Sequence, residues 1–233
     1  MPRREAEFPT TFTEKPLLVM PTDVRPKMST IIDGLMGSGY GLVAGLRRED
    51  VEDITRIASQ PGVREFCPKD MRQRWTDEAA AEKQLAKDGG RGVFRLVKLV
   101  DHLDPINGDT VGYGWTGKSS DDERAKLPVC ENTFAIRLDA AVAGQGLGKR
   151  FTGGIVAGSM ALFGARNIGL ETWASNVGAV KSYFAAGAEF VAAQNDERET
   201  LDYNVVSRDE TRDGEYIAYR PDTRYFMQFP QSM

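Results

Sequence analysis

A chain of 233 residues with 41% hydrophobic and 27% charged side chains has the make-up of one large globular domain, or of one domain with an extension, and wholesale disorder is excluded. The 30 basic and 34 acidic side chains leave a net charge of −4, which disfavours a broadly basic nucleic-acid binder and suits a cationic or amine-bearing partner. Two cysteines, Cys67 and Cys130, and a single histidine are too few for a disulfide framework or a His/Cys zinc site, so no metal is expected and any catalytic triad would rest on His102 alone. Reduced thiols, no apolar leader after Met1-Pro2-Arg3-Arg4-Glu5 and no membrane-spanning run point to a cytoplasmic protein. The most apolar stretch, Ile155 to Ala165, is too short to cross a bilayer and is broken by Gly158, Ser159 and Gly164.

In chain order, residues 1–39 read as an arm laid over a domain that occupies 40–233. Pro2, Pro9, Pro16, Pro21 and Pro26 break any long helix there. Tyr40 to Leu46 reads as a strand. Arg47-Arg48-Glu49-Asp50 opens a helix in which Val51, Ile54, Ile57 and Ala58 recur at helical spacing, and Pro61-Gly62 ends it. Glu78 to Ala86 reads as a second, Ala-rich helix. Val93–Val100 and Thr110–Trp115 are strands joined by turn chemistry at Asp104-Pro105 and Asn107-Gly108. Lys118 to Lys126 reads as a polar loop, and Asn132 to Leu138 as a strand with Phe134, Ile136 and Leu138 on one face.

A long helix follows, with Leu147, Phe151, Ile155, Gly158 and Leu162 along one side. Ile168–Trp173 is a strand, Val177–Ala186 a short helix, and Phe190–Ala192, Tyr216–Tyr219 and Tyr225–Phe229 late strands. Strands and helices in this order imply a mixed α/β (α+β) domain whose sheet is mixed rather than all parallel.

Two glycine-rich segments compete for an anion. Gly112-Tyr113-Gly114-Trp115-Thr116-Gly117-Lys118-Ser119 matches the P-loop expression, which would imply a nucleotide-hydrolysing or phosphoryl-transfer enzyme. A P-loop needs an amphipathic helix behind it, and Ser120 to Lys126 offers no apolar face. Val142-Ala143-Gly144-Gln145-Gly146-Leu147-Gly148-Lys149-Arg150 has a strand before it and a long helix after it. Its glycines let backbone approach an anion while unpaired amides and the helix dipole point outward. Lys149 and Arg150 put positive charge at a helix start, where the dipole disfavours it and a phosphate would explain it.

The segment Ala143-Gly144-Gln145-Gly146-Leu147-Gly148 resembles the pyrophosphate-binding motif, Arg/Gln-x-x-Gly-x-Gly/Ala, of the GNAT superfamily of acyl-CoA-dependent N-acyltransferases. Ser175 to Gly187 is similar to that family's second motif, Asn-x-x-Ala-x-x-x-Tyr-x-x-x-Gly. Ala143 stands where the family has Arg or Gln, so Gln145, Lys149 or backbone groups would have to replace that side chain.

The resemblance implies a mainly antiparallel sheet of six to seven strands with helices on both faces. It also implies acetyl-CoA as cosubstrate, and direct attack by a primary amine of a small molecule or peptide. Residues 143–149 would hold the pyrophosphate and Asn176 would bond the cofactor. Backbone at a bulge in the preceding strand (Ile136, Arg137, Leu138) would meet the pantetheine and thioester. Tyr183 stands where the family places the acid that protonates the leaving thiolate.

By position, Glu131 is the first choice of general base and Asp139 the second, while Glu171 could face the acceptor. Trp75, Trp115, Tyr216 and Tyr225 are expected to line the acceptor site, with Asp77 and Glu78 attracting a cation. His102 reads as a surface imidazole, and a covalent acyl-Cys130 route lacks a partner base. A non-catalytic acyl-CoA-binding module and a homodimer both stay open.

Overall fold

In the computed structural model, residues 31–32, 39–70, 79–80, 83, 92–99, 108–201, 209–210 and 216–230 are described. Their strands are β1 (Ile31–Ile32), β2 (Tyr40–Ala44), β3 (Gly92–Lys98), β4 (Asp109–Lys118), β5 (Asn132–Leu138), β6 (Ile168–Trp173), β7 (Glu189–Leu201), β8 (Asp209–Glu210) and β9 (Tyr216–Gln228). The sheet runs β1-β2-β3-β4-β5-β6-β9-β7, with β8 beside β9. Seven of these strands have five or more residues, and every pairing is antiparallel except β5 with β6, so the expected mixed and mainly antiparallel sheet is present.

Alternation along the strands builds two cores. Phe94 and Leu96 of β3 join Leu42 and Ala44 of β2 against Phe151 and Ile155 of the long helix, while Val93 turns the other way. On that second face, Tyr113 and Trp115 of β4 meet Val51, Ile54, Ile57 and Ala58 of the first helix. Its apolar residues recur every three or four positions and are all buried. Helices therefore cover both faces.

The helices are α1 (Val51–Ser59), α2 (Pro61–Phe66), α3 (Asp121–Lys126), α4 (Leu147–Phe163) and α5 (Val177–Ala185). Several sequence expectations need correcting. Pro61 ends α1 but also opens α2, because its ring tolerates a first helical position. The 118–126 segment is no loop: Ser120 Oγ accepts from the Glu123 N–H at 3.2 Å and the Glu123 carboxylate from the Ser120 N–H at 2.6 Å, a reciprocal cap that sustains α3 without an apolar face. The late strands are one long hairpin, in which Pro221 is tolerated because β9 pairs with β6 only from Arg224 onward. Of the expected 78–86 helix, 79–80 and 83 are helical and the rest lies outside the described residues. So does most of the 1–39 arm, apart from Ile31 and Ile32, which pair with β2, and Gly39.

One irregularity positions everything that follows. β5 and β6 pair only at Asn132↔Ile168 and Thr133↔Gly169, whereas β5 and β4 pair over seven residues. From Phe134 onward β5 and β6 are unpaired with each other, which opens a gap in the sheet.

Candidate active site

The gap leads to the glycine loop. β5 ends at Leu138, a 3-10 turn spans Ala140–Val142, and α4 starts at Leu147. Gly144 and Gly146 sit at φ +76° and +74°, left-handed values that disfavour a side chain, and a Cβ at either would meet no atom within 4 Å. Arg150 is the first amide to bond back into the helix, to the Gly146 carbonyl at 3.5 Å. The three preceding amides, Leu147, Gly148 and Lys149, have no intrahelical partner, as geometry demands of a helix start. Residues 143–146 and Lys149 are exposed. Open space, left-handed glycines and three free amides at the positive end of a 17-residue helix make an anion cradle, and a diphosphate fits its chemistry. Gly148 serves packing as well, since a Cβ there would lie 2.5 Å from Ser182 Oγ of α5.

The turn that delivers this loop is clamped. Asp139 Oδ1 accepts from the Ala141 N–H and from Gln60 Nε2, both at 2.9 Å, and Arg56 donates to Oδ2. Gln60 Oε1 in turn accepts from the Ala140 N–H at 2.8 Å. Burial alone would raise the Asp139 pKa, but Arg56, the Ala141 amide and Gln60 together bring it below its ordinary value. Asp139 is thus a clamp on the loop and not a free base. Gln145 does not reach for an anion with its side chain: Nε2 donates to the Ala141 carbonyl at 3.2 Å and Oε1 accepts from Tyr40 Oη at 3.1 Å. That leaves Lys149 and the backbone amides as the groups open to an anion here.

Tyr183 of α5 is 6% exposed, edge-on to Phe134 of β5 with ring centroids 5.9 Å apart. Burial pushes its pKa up to about 12, against an opposing pull from Arg137. It is a neutral phenol with a proton to give at any physiological pH. Asn176 caps α5, its Oδ1 accepting from the Ala179 N–H at 3.2 Å.

β5 carries no bulge. It stays in unbroken register with β4, and the irregularities fall in β4, where Val111 is the extra residue opposite Leu96/Val97, and in β7 between Phe190 and Ala192. Asp139 donates to the Val111 carbonyl and Ser119 to the Glu131 carbonyl, so odd-numbered residues of β5 bond to β4. The N–H and C=O groups of Ile136 and Leu138 therefore face the gap, where a strand-like ligand would find them. The Ile136 carbonyl already accepts from Arg137 Nη1 at 2.8 Å. Arg137 Nε donates to Asp70 at 2.6 Å, Tyr113 Oη reaches the same carboxylate at 3.3 Å, and the guanidinium lies 5.0 Å over the Trp115 ring. Asp70 and Gln60, which tie the α1–α2 region to β5 and to the loop, were missed in the sequence. No local pattern marks a side chain whose partner is about 70 to 80 positions away.

Other expectations divide. Glu131 precedes β5 and is exposed. Cys130 is buried and its thiol pushed up to about 11, which removes it as a nucleophile. Glu171 is paired with Arg224 at 3.2 Å. Tyr225 packs toward the α4 core, edge-on to Phe190, and does not join Trp115 on the opposite face. Trp75, Asp77, Glu78, His102 and the Tyr216 side chain lie outside the described residues.

The P-loop match is overturned. Gly112 to Lys118 is extended strand, its backbone paired with β3 and β5, and the Ser119 hydroxyl donates to the Cys130 carbonyl at 2.9 Å. Gly114 is there because a Cβ would strike Ile155 Cδ1 at 2.5 Å and the Ala135 carbonyl at 2.7 Å. Among the described residues no group of three His, Cys, Asp or Glu could hold a metal ion, and no helix is long and apolar enough to cross a membrane.

The fold built by this sheet, gap and glycine loop is that of the GNAT acetyltransferases. No protein-family model and no curated protein matches the sequence. Solved structures do match. A chimera of the Vibrio cholerae spermidine N-acetyltransferase SpeG with hSSAT superposes with TM-score 0.53 at 14% identity, over 82% of this chain and 96% of its own. AAC(6')-Ib in complex with ribostamycin and coenzyme A gives 0.54 at 16%, over 82% and 93%. The ribosomal-protein-S5-alanine acetyltransferase of Vibrio fischeri gives 0.57 at 11%, over 83% and 94%.

Proposed function

We propose that this protein is an N-acetyltransferase that moves an acetyl group from acetyl-CoA to a primary amine by direct attack. The observation that carries this reading is the run of free amides at Leu147, Gly148 and Lys149 behind two left-handed glycines, at the end of a sheet gap that Tyr183 borders. The amides and Lys149 would hold the diphosphate, with Ala143, Gly144, Gln145 and Gly146 shaping the approach. Backbone groups of Ile136 and Leu138, with Arg137 between them, would pair with the pantetheine along the open edge. Asn176 holds the start of α5 and with it the placement of Tyr183. Tyr183 protonates the departing thiolate; a phenol held neutral by burial is suited to that step and not to acting as a base. Glu131, exposed and with no side-chain partner among the described residues, takes the amine proton through water, because Asp70 and Asp139 are both held by arginines. The related folds acetylate spermidine or ribosomal protein S5 alanine, or bind ribostamycin, as their names state, and all three kinds of amine belong in the first screen.

The test has two stages. A ligand present at about 100 times its dissociation constant stabilises by about 2.7 kcal/mol, so CoA should raise Tm while ATP with Mg²⁺ should not. Turnover with the amine panel should then fall by about 10²- to 10⁴-fold in Tyr183→Phe, the usual contribution of general acid catalysis. Stabilisation by ATP and not by CoA would reject the reading. Full activity in Tyr183→Phe would reject the acid.

A further inference from the structure

We propose that Arg137 stabilises the negative charge that develops on the thioester oxygen and sulfur during acyl transfer, a role that rests on the acyl-CoA reading above. Three contacts fix its guanidinium: Asp70 at Nε (2.6 Å), the Ile136 carbonyl at Nη1 (2.8 Å) and the face of Trp115 (5.0 Å). The Ile136 carbonyl faces the gap, so the bond to it holds the cation at the open edge of β5. The side chain is only 13% exposed, yet among the described residues Nη2 has no hydrogen-bond partner. A guanidinium cannot discharge itself by losing a proton, and Nη2, which is not sealed from solvent, stays open to an incoming anion. Asp70 neutralises the charge at rest and fixes the fork, which leaves a preorganised donor for an anion that forms only in transit. Tyr183 lies within reach of the same charge, which opposes the effect of burial on its phenol.

The amine lone pair forms the C–N bond and the carbonyl π pair moves to oxygen. Collapse of that centre breaks the C–S bond, and the pair on sulfur takes the Tyr183 proton. The surplus amine proton, taken up through water by Glu131, is passed back through water to the tyrosinate. Oxygen and then sulfur carry the transient charge, and a fixed cationic donor beside both lowers the barrier without gripping the neutral thioester.

Arg137→Ala and Arg137→Lys are compared with wild type using acetyl-CoA and whichever amine the wild type turns over. Loss of one preorganised donor of this kind lowers kcat by about 10²- to 10³-fold. That loss is expected in Arg137→Ala, with CoA affinity by calorimetry unchanged, partial restoration of kcat by added guanidinium ion, and an upward move of the Tyr183 titration followed by tyrosinate absorbance. Arg137→Lys keeps the charge but not the fork and should fall between the two. If the alanine variant does not fold, kcat and the tyrosinate titration of the lysine variant decide: a lowered kcat at unchanged CoA affinity supports the role. An unchanged kcat in either variant, or a loss of kcat that tracks a loss of CoA affinity and resists guanidinium, overturns it. Failure of wild type itself to bind CoA would remove the acyl-CoA reading and this role together, whereas wild-type turnover with an unrescued variant removes the role alone.

Discussion

Five residues meet in polar contact at the turn before the glycine loop. The Asp139 carboxylate holds the Ala141 amide, Gln60 and Arg56, and Gln60 returns a bond to the Ala140 amide. Gln60 is also the residue at which α1 ends and α2 begins, so one amide side chain links the helices of one face to the loop on the other side of β5. Two hydrogen bonds of about 1 kcal/mol each are lost in Gln60→Ala. Part of that loss should appear as weaker CoA binding by isothermal calorimetry, about five- to tenfold, with kcat at saturating acetyl-CoA unchanged. CoA affinity equal to wild type would mean the turn holds itself. The residue scale is where the sequence was least informative. Gly144, Gly146 and Tyr183 could be located because each belongs to a short motif, whereas Gln60, Asp70 and Tyr40 act across 67 to 105 positions and leave no local trace. The Gln145 side chain shows the converse: its place in the motif suggested an anion ligand, but Tyr40 and Ala141 occupy it.

Among the elements, β4 carries the most misleading pattern. It satisfies a phosphate-binding expression with glycines that serve packing: Gly114 lets Ile155 of α4 lie against the sheet, and Gly112 makes room for Leu138 of β5. Gly114→Ala should destabilise by about 1–3 kcal/mol, the usual effect of overpacking, with the urea midpoint as readout. Lys118→Ala should leave stability, CoA binding and turnover unchanged, since Lys118 is exposed at the strand end opposite Asn132. A selective loss of activity in Lys118→Ala would contradict the strand assignment. Elements with one apolar face were legible: β5, β6 and α4 begin where periodicity placed them, and α1 follows its Val51, Ile54, Ile57, Ala58 stripe. The β7–β9 hairpin runs further than periodicity predicts because its outer part, 194–200, is polar on both faces and Pro221 interrupts its return. α3 leaves no periodic trace because a surface helix needs no apolar face, although Ser120 and Glu123 spell a capping box.

For the whole molecule, the buried ionisable groups define a window of pH stability with a different cause at each end. Burial would raise Asp50, Asp139 and Asp222, but their arginine and hydrogen-bond partners bring all three below the ordinary carboxylate value. The folded state therefore holds fewer protons than the unfolded one in acid. Their contribution is present above the ordinary value and is lost as pH falls through the lowered one. Tyr183 and Tyr113 act in the opposite sense, since burial raises both. Their contribution is complete below the ordinary phenol value of 10.0, and for Tyr183 it disappears as pH rises toward about 12. A rise of about two units corresponds to about 3 kcal/mol across that interval. Urea unfolding of wild type should therefore show a flat midpoint near neutrality and a steep alkaline fall above pH 10. Tyr183→Phe, whatever its stability at pH 7, should fall less steeply there because one titrating phenol is gone. The same alkaline slope in both proteins would place the Tyr183 hydroxyl in water and not against Phe134. It would then be an ordinary phenol at the mouth of the gap, no longer held neutral by the fold.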